Sequence, residues 1–305
     1  MDCIFCQKPS DNSRGVEHII PESLGNEDII LWRGAVCDSC NNYFSHIEGE
    51  LLEQPYFISL RHRNFIKTKK NHLVAQKYFF PDKNIGWVDT RLDFEYGGPA
   101  ISFEQNKEND IIKLLKEDKN MSIMAPVIPN PEPNNYIVSR FLAKCAVEYL
   151  VFRMGEKNYF EFSKELKDKQ YDPIRKYARY GEGIKFWPYH QRRIYPESAR
   201  FKDGKEKDSP MLENLHEIDL LSIDYTQEYN VANSDQQYLE IFCIVVIMGI
   251  EYAINIGRPE ISGYEAWLKE HEFRSPVDRY NDIRIQDDNH QIFQISDELL
   301  KKMNR

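Results

Sequence analysis

The sequence predicts an α+β protein, with a small cysteine-stapled module at the N-terminus followed by a larger mixed body. Three features predict it. Four of the six cysteines lie in the first forty residues as two CxxC pairs, Cys3-Ile4-Phe5-Cys6 and Cys37-Asp38-Ser39-Cys40. Residues 73 to 105 alternate apolar and polar side chains with the period of a strand. Beyond them, a long run with apolar residues at helical spacing and a run of β-branched residues supply material for a core.

The composition permits such a body. Of 305 residues, 41% are hydrophobic and 29% charged, which allows a packed interior and argues against disorder. The longest uncharged apolar run, Ile241 to Ile250, is ten residues, whereas a bilayer needs ~20, so no membrane partner is expected. Met1-Asp2-Cys3 lacks the basic start and apolar stretch of a signal peptide, so the expected location is cytoplasmic. Thiols are kept reduced there, and CxxC pairs then point to metal or redox chemistry rather than a disulfide framework. The net charge of −9 counts mildly against a nucleic-acid binder, although a local basic track would be enough for one.

Taken in chain order, residues 1 to about 60 carry too little apolar material for a core of their own, and a unit of that size needs a staple. "SHIEGELLEQPYF" reads as a helix ending before Pro55. "VAQKYFF", "GWVDTRLDFEY" and "AISFEQ" read as strands separated by turn signals at Pro81-Asp82 and Gly97-Gly98-Pro99. "NDIIKLLKE" is a short amphipathic helix, and the prolines from Pro126 to Pro133 mark an extended connector over 125–134. "NNYIVSRFLAKCAVEYLVFRMG" has an asparagine start, apolar residues at 138, 142, 145, 146, 149 and 152, and a glycine stop, which predicts a core helix. "YLEIFCIVVIMG" reads as a buried strand and "NDIRIQDDNHQIFQIS" as a hairpin turning at Asp287-Asp288-Asn289. The expected division is 1–72 and 73–305, the second part with a role in recognition, regulation or partner binding.

The cysteines carry the first chemistry. Each CxxC turn can aim two thiolates at one tetrahedral ion, and two turns complete a four-cysteine zinc site. A thioredoxin-like reading uses one CxxC and leaves the second pair unexplained. Cys145 and Cys243 sit in apolar runs and read as core residues. Between the pairs lies "VEHIIPESLGN", which sets Glu17 beside His18, and Asn41-Asn42 follows the second pair at once.

This constellation, Cys3-x2-Cys6, Glu17-His18-Ile19-Ile20-Pro21, Leu24-Gly25 and Cys37-x2-Cys40-Asn41-Asn42, resembles the HNH endonuclease signature in its four-cysteine form. The resemblance covers about the first 50 residues. It implies a ββα-metal, treble-clef-like module in which a structural Zn²⁺ bound by Cys3, Cys6, Cys37 and Cys40 supports a catalytic site. It implies His18 as the base that activates water, with Glu17 and Asn41 holding a catalytic divalent ion, Mg²⁺ or another such as Mn²⁺ or Ni²⁺. His46, i+4 from Asn42, is a further metal candidate beside its plainer reading as a packing or surface residue. A histidine with an ordinary pKa near 6.5 can take a proton from water at neutral pH. Strand alternation points Glu17 and His18 to opposite faces, so both serve one site only if the strand twists or bends there. One departure stands out. The middle asparagine of the signature is expected about five residues before the second CxxC, where this chain reads "LWRGAVC". Asn26 lies too early to assume equivalence, and backbone or another residue would have to brace the loop.

Two stretches could hold a nucleic acid. "RHRNFIKTKK" (61–70) carries Arg61, Arg63, Lys67, Lys69 and Lys70 and no acid, and would give salt-sensitive phosphate contacts. "PIRKYARYGEGIKFWPYHQRR" places Arg175, Lys176, Arg192 and Arg193 among aromatics that suit backbone contact and stacking, or equally a core. The leading expectation is a DNA-cleaving, metal-dependent endonuclease. RNA as substrate and a non-catalytic zinc-stabilised binding module are the alternatives. By analogy with the family, the C-terminal body would recognise a partner, a nucleotide signal or modified DNA, as in bacterial restriction and anti-phage systems; a partner protein or an oligomer through this body is expected.

Overall fold

The computed structural model describes residues 1–26, 28–68, 72–95, 98–103, 106–117, 123–126, 128–165, 169–195, 216–224 and 239–277. The first segment forms two short antiparallel strands, β1 (Glu17–His18) and β2 (Ile30–Leu31), which pair Glu17 with Leu31 and His18 with Ile30. A single 3-10 turn, Glu22–Leu24, lies between them and closes on Gly25, whose φ of 93° suits a residue without a side chain. Helix α1 (Asp38–Leu52) begins directly after Cys37, with Asp38 in the first turn, where a carboxylate meets the positive helix end. Phe44, Ile47 and Leu51 recur at helical spacing and are buried. The helix stops at Leu52, and Pro55 opens α2 (Pro55–Arg63), at a helix start where its missing N–H has no partner to lose.

The expected strands follow as an antiparallel sheet of β3 (Gln76–Phe80), β4 (Gly86–Glu95) and β5 (Gly98–Phe103). Helix α3 (Glu108–Glu117) lays Ile111 against Phe80, Ile85 and Val88, a small core of its own. Among the described residues the connector at 125–134 contains no helix or strand.

Helix α4 (Tyr136–Glu165) is 30 residues long and runs past Gly155, which was expected to end it. The glycine has a different purpose. A Cβ there would come within 2.2 Å of the Trp32 ring, so Gly155 lets the loop after β2 lie against the helix. After α4 come α5 (Asp172–Tyr180), β6 (Tyr189–Arg193), β7 (His216–Asp224), β8 (Leu239–Ile247), β9 (Ile250–Asn255) and α6 (Ser262–Glu270). The last four strands form an antiparallel sheet in the order β6-β9-β8-β7. Cys243, Val245, Tyr252 and Ile254 join the core that contains α4, and Phe242, Ile244, Val246 and Ala253 pack with Tyr264 and Leu268 of α6. Burial on both faces explains why "IFCIVVI" lacks alternation. Met248 and Gly249 turn β8 into β9 with φ of 48° and 84°, as a two-residue hairpin demands.

One apolar cluster runs from Cys3 and Phe44 through Leu142 and Val151 to Tyr252 and Ile256. The N-terminal segment thus completes its thin core against α4. His216 on β7 ties it further, with Nε2 2.5 Å from the Leu24 carbonyl oxygen. The hairpin expected around 281–296 lies outside the described residues. No helix among them is long and apolar enough to cross a membrane.

Candidate metal and catalytic site

The four cysteines expected at zinc converge. Their Sγ atoms all lie within 4.8 Å of one another, with Cys6 and Cys37 at 3.6 Å. Tetrahedral Zn–S bonds of ~2.3 Å place sulfurs about 3.8 Å apart, so the cluster can hold a zinc ion with small adjustments. Cys3 and Cys40 are buried, Cys6 and Cys37 half-buried. Two donors already address the sulfurs. The Cys37 backbone N–H donates to Cys3 Sγ at 3.3 Å, and Arg179 Nε donates to Cys40 Sγ at 3.2 Å. Such donors stabilise thiolate charge around a metal. Arg179 stacks its guanidinium 3.8 Å from the Tyr43 ring centroid, which fixes its aim. A hydrogen bond from Cys40 holds Cys3 down at about 5, against the opposing effect of burial, while the same sharing pushes Cys40 up. Among the described residues, these four form the group of His, Cys, Asp and Glu side chains close enough to share an ion.

Ten residues after the first pair, β1 presents Glu17 and His18, and alternation separates them as the pleat requires. His18 is half-buried on the outer side. Glu17 is 6% exposed and faces inward, where Lys144 of α4 lies 2.7 Å from its Oε1. Lys144 is wholly buried and is surrounded by three carboxylates, with Glu48 of α1 at 2.8 Å and Glu148 of its own helix at 3.2 Å. Its Nζ also donates to the main-chain oxygens of His18 at 2.9 Å and Ile19 at 3.3 Å. Burial by itself would lower the Lys144 pKa, but Glu148, Glu17 and Glu48 outweigh it and keep the ammonium charged. Glu148 is pushed well above the ordinary carboxylate range, chiefly by burial, with Lys144 opposing. The carboxylate expected at the catalytic ion is therefore engaged in a buried ion pair, on the face of β1 away from His18.

Asn41 is closer to expectation. It lies in the first turn of α1, and its Nδ2 donates to the carbonyl oxygen of Val16, the residue before β1, at 3.2 Å. Asp38 reinforces that junction, its Oδ1 accepting the backbone N–H of Arg14 at 2.9 Å and of Gly15 at 3.1 Å. Together they set the start of α1 beside the strand that carries His18. His46 is exposed on α1 and offset from Asn41 by five positions, which does not share its face.

The loop brace missing from "LWRGAVC" is Asn26. Its side chain is buried and donates from Nδ2 to Ile20 O at 2.7 Å and Ile29 O at 3.3 Å. Its Oδ1 accepts from the backbone N–H groups of Asp28 at 3.2 Å and Ile29 at 3.1 Å. One asparagine thus closes the loop between β1 and β2. The distance to the second CxxC hid it; the signal was the turn sequence Leu24-Gly25-Asn26, where an asparagine can bond its own neighbours.

Among the described residues the basic candidates do not form one exposed strip. Arg61 is 6% exposed, and Arg63 donates to Ser59 Oγ at 2.9 Å. Lys67 is exposed, and Lys69 and Lys70 lie outside the described residues. In the second stretch Arg175 is buried beside Asp172, Arg192 pairs with Glu251 at 2.5 Å, and Arg193 donates to Asn130 and Tyr195 O. Lys176 remains exposed. Tyr177, Trp187 and Tyr189 are core residues, as the plainer of the two readings had it.

Residues 3–55 match the family model of HNH endonuclease. The matched span contains both cysteine pairs, β1, β2 and all of α1, so the N-terminal segment is an HNH-type module with a cysteine cluster that can hold zinc. No curated protein and no solved structure matches the chain.

Proposed function

We propose that this protein is a divalent-metal-dependent endonuclease that hydrolyses phosphodiester bonds of DNA, with His18 as the general base. The observation that carries the reading is the family match over the segment in which Asn41 and Asp38 fix α1 beside β1 and leave His18 on the outer face. His18 takes a proton from water as the oxygen attacks phosphorus, and the bond from phosphorus to the leaving oxygen breaks. A bound divalent ion supplies charge stabilisation to the phosphoryl and leaving oxygens. Asn41, waters and substrate phosphate oxygens would ligate that ion, as Mg²⁺ sites with few protein ligands do. Glu17 would join them only by turning from Lys144. In the geometry observed it anchors β1 to α4. Of the basic candidates, Lys67 and Lys176 are exposed and open to backbone contact.

The test is cleavage of supercoiled plasmid with Mg²⁺, Mn²⁺ or Ni²⁺, and of a structured RNA in parallel. His18→Ala should cut ~10²–10⁴-fold more slowly than wild type while remaining folded. Preference for the RNA would move the proposal to that substrate. An alanine variant as fast as wild type would remove His18 from the chemistry. A wild-type protein inert toward both polymers with all three ions would leave a zinc-stabilised binding module.

A further inference from the structure

The buried Arg61 raises a question the nuclease reading does not answer. Its side chain is only 6% exposed, yet among the described residues no carboxylate pairs with it, and its buried Nε has no hydrogen-bond partner. Burial lowers its pKa. An unpaired buried cation is costly, and sequences retain one where something else neutralises it. Arg61 lines a cavity of about 630 Å³ between α2, the segment before β3 and the sheet of β4 and β5. Arg91, His72, Thr68 and Ser102 also line it, and among the described residues no acidic one does. Arg91, His72 and Ser102 are exposed, so the cavity has a cationic floor and a polar, cationic rim.

We propose that this cavity binds a small phosphate-bearing molecule of about nucleotide size. Arginine rather than lysine suits the paired oxygens of a phosphate, and hydroxyls and imidazole complete the set of partners. The volume falls within the ~300–1,000 Å³ of small-molecule sites. The floor is prearranged. His62, the next residue on α2, lies with Nδ1 2.8 Å from Val74 O and Nε2 3.1 Å from the Tyr78 hydroxyl, while Arg63 and Gln76 both donate to Ser59 Oγ. These contacts hold α2 against the 74–78 segment and set the position of Arg61 without engaging its guanidinium. A duplex backbone, by contrast, presents its phosphates on a convex surface and does not reach a buried floor. The inference does not depend on nuclease activity.

The experiment uses the full chain in metal-free buffer, with thermal unfolding and calorimetry against inorganic phosphate and AMP, and chloride at matched ionic strength as the control. AMP at saturation should raise the Tm by about 5 °C. Arg91→Gln, at an exposed position, should weaken AMP binding at least tenfold. Arg61→Met should abolish the response, and its unliganded Tm should equal or exceed that of wild type, because an unpaired charge leaves the interior. An arginine kept for structure would give a lower Tm instead and would overturn the proposal. So would a wild-type protein that responds to AMP no more than to chloride, or an Arg91→Gln variant with full AMP affinity. A short DNA duplex is titrated in parallel. If it competes with AMP, and Arg91→Gln weakens both equally, the cavity receives substrate backbone and the small-molecule assignment fails.

Discussion

Replacing Lys144 with methionine removes a charge while keeping most of the side-chain volume. The ammonium it deletes lies within 2.7 Å of Glu17, 2.8 Å of Glu48 and 3.2 Å of Glu148, in a fully buried position. Removing one partner of a buried ion pair costs about 3–5 kcal/mol, because the other charge stays behind without compensation. The main-chain oxygen of His18 loses this donor as well, and that of Ile19 is left with the Cys145 thiol. A chain of this size changes by roughly 2–4 °C in Tm per kcal/mol, so a fall on the order of 10 °C is expected. The loss should depend on pH. Glu148 has a raised pKa in the folded protein, so as pH climbs from about 4.3 the unfolded chain gives up that proton first, and stability falls until the folded value is passed. Without Lys144 the carboxylates repel one another unless protonated, which enlarges and extends that fall. The Lys144 pKa is raised, so its own contribution is complete at every pH below about 10.4 and adds no slope between pH 5 and 8. Urea unfolding of wild type and Lys144→Met should therefore show a smaller difference at pH 5 than at pH 8. Adding Glu17→Gln to the variant should recover part of the loss. A difference below about 1 kcal/mol at pH 8, or one equal at both pH values, would show that the cluster does not hold β1 to α4 as described.

Freshly purified protein should contain one zinc per chain, and serine at Cys3, Cys6, Cys37 or Cys40 should lose it and unfold the N-terminal segment, as read by elemental analysis and proteolysis. Asn26→Ala removes the side-chain partner of Ile20 O and of the Asp28 and Ile29 N–H groups, while Ile29 O keeps the Ile19 N–H, and should cost about 1–3 kcal/mol, with slower plasmid cleavage at unchanged zinc content. Gly155→Ala forces a methyl into the Trp32 ring and should destabilise by about 1–3 kcal/mol in thermal unfolding, an effect that Trp32→Leu should largely remove. For Glu17, metal titration of the cleavage rate separates its two roles: Glu17→Gln as an anchor lowers activity at every metal concentration, whereas a lost ligand is rescued by more metal.

Elements whose cause is local were legible in the residues alone. Two CxxC pairs imply convergent thiols because each turn aims its own sulfurs, and the structure brings the four together. Alternation between 73 and 105 gave β3, β4 and β5, and helical spacing gave α3 and most of α4. Alternation also warned that Glu17 and His18 would face apart. Which groups pair across the fold was not legible there. Lys144 meets the strand of His18 from 126 positions away, and nothing near either residue announces it. Gly155 looked like a helix stop because glycine often is one; the approach of Trp32, far off in sequence, gave it another use. Arg192 and Arg61 illustrate the same limit from opposite sides. Both sit in runs that read as basic surface, yet folding sets one against Glu251 and encloses the other in a cavity. A periodic pattern records which face of an element leaves water, because burial acts on each element in turn. The partner of a buried charge depends on how elements dock, and that is fixed only when the whole chain has packed.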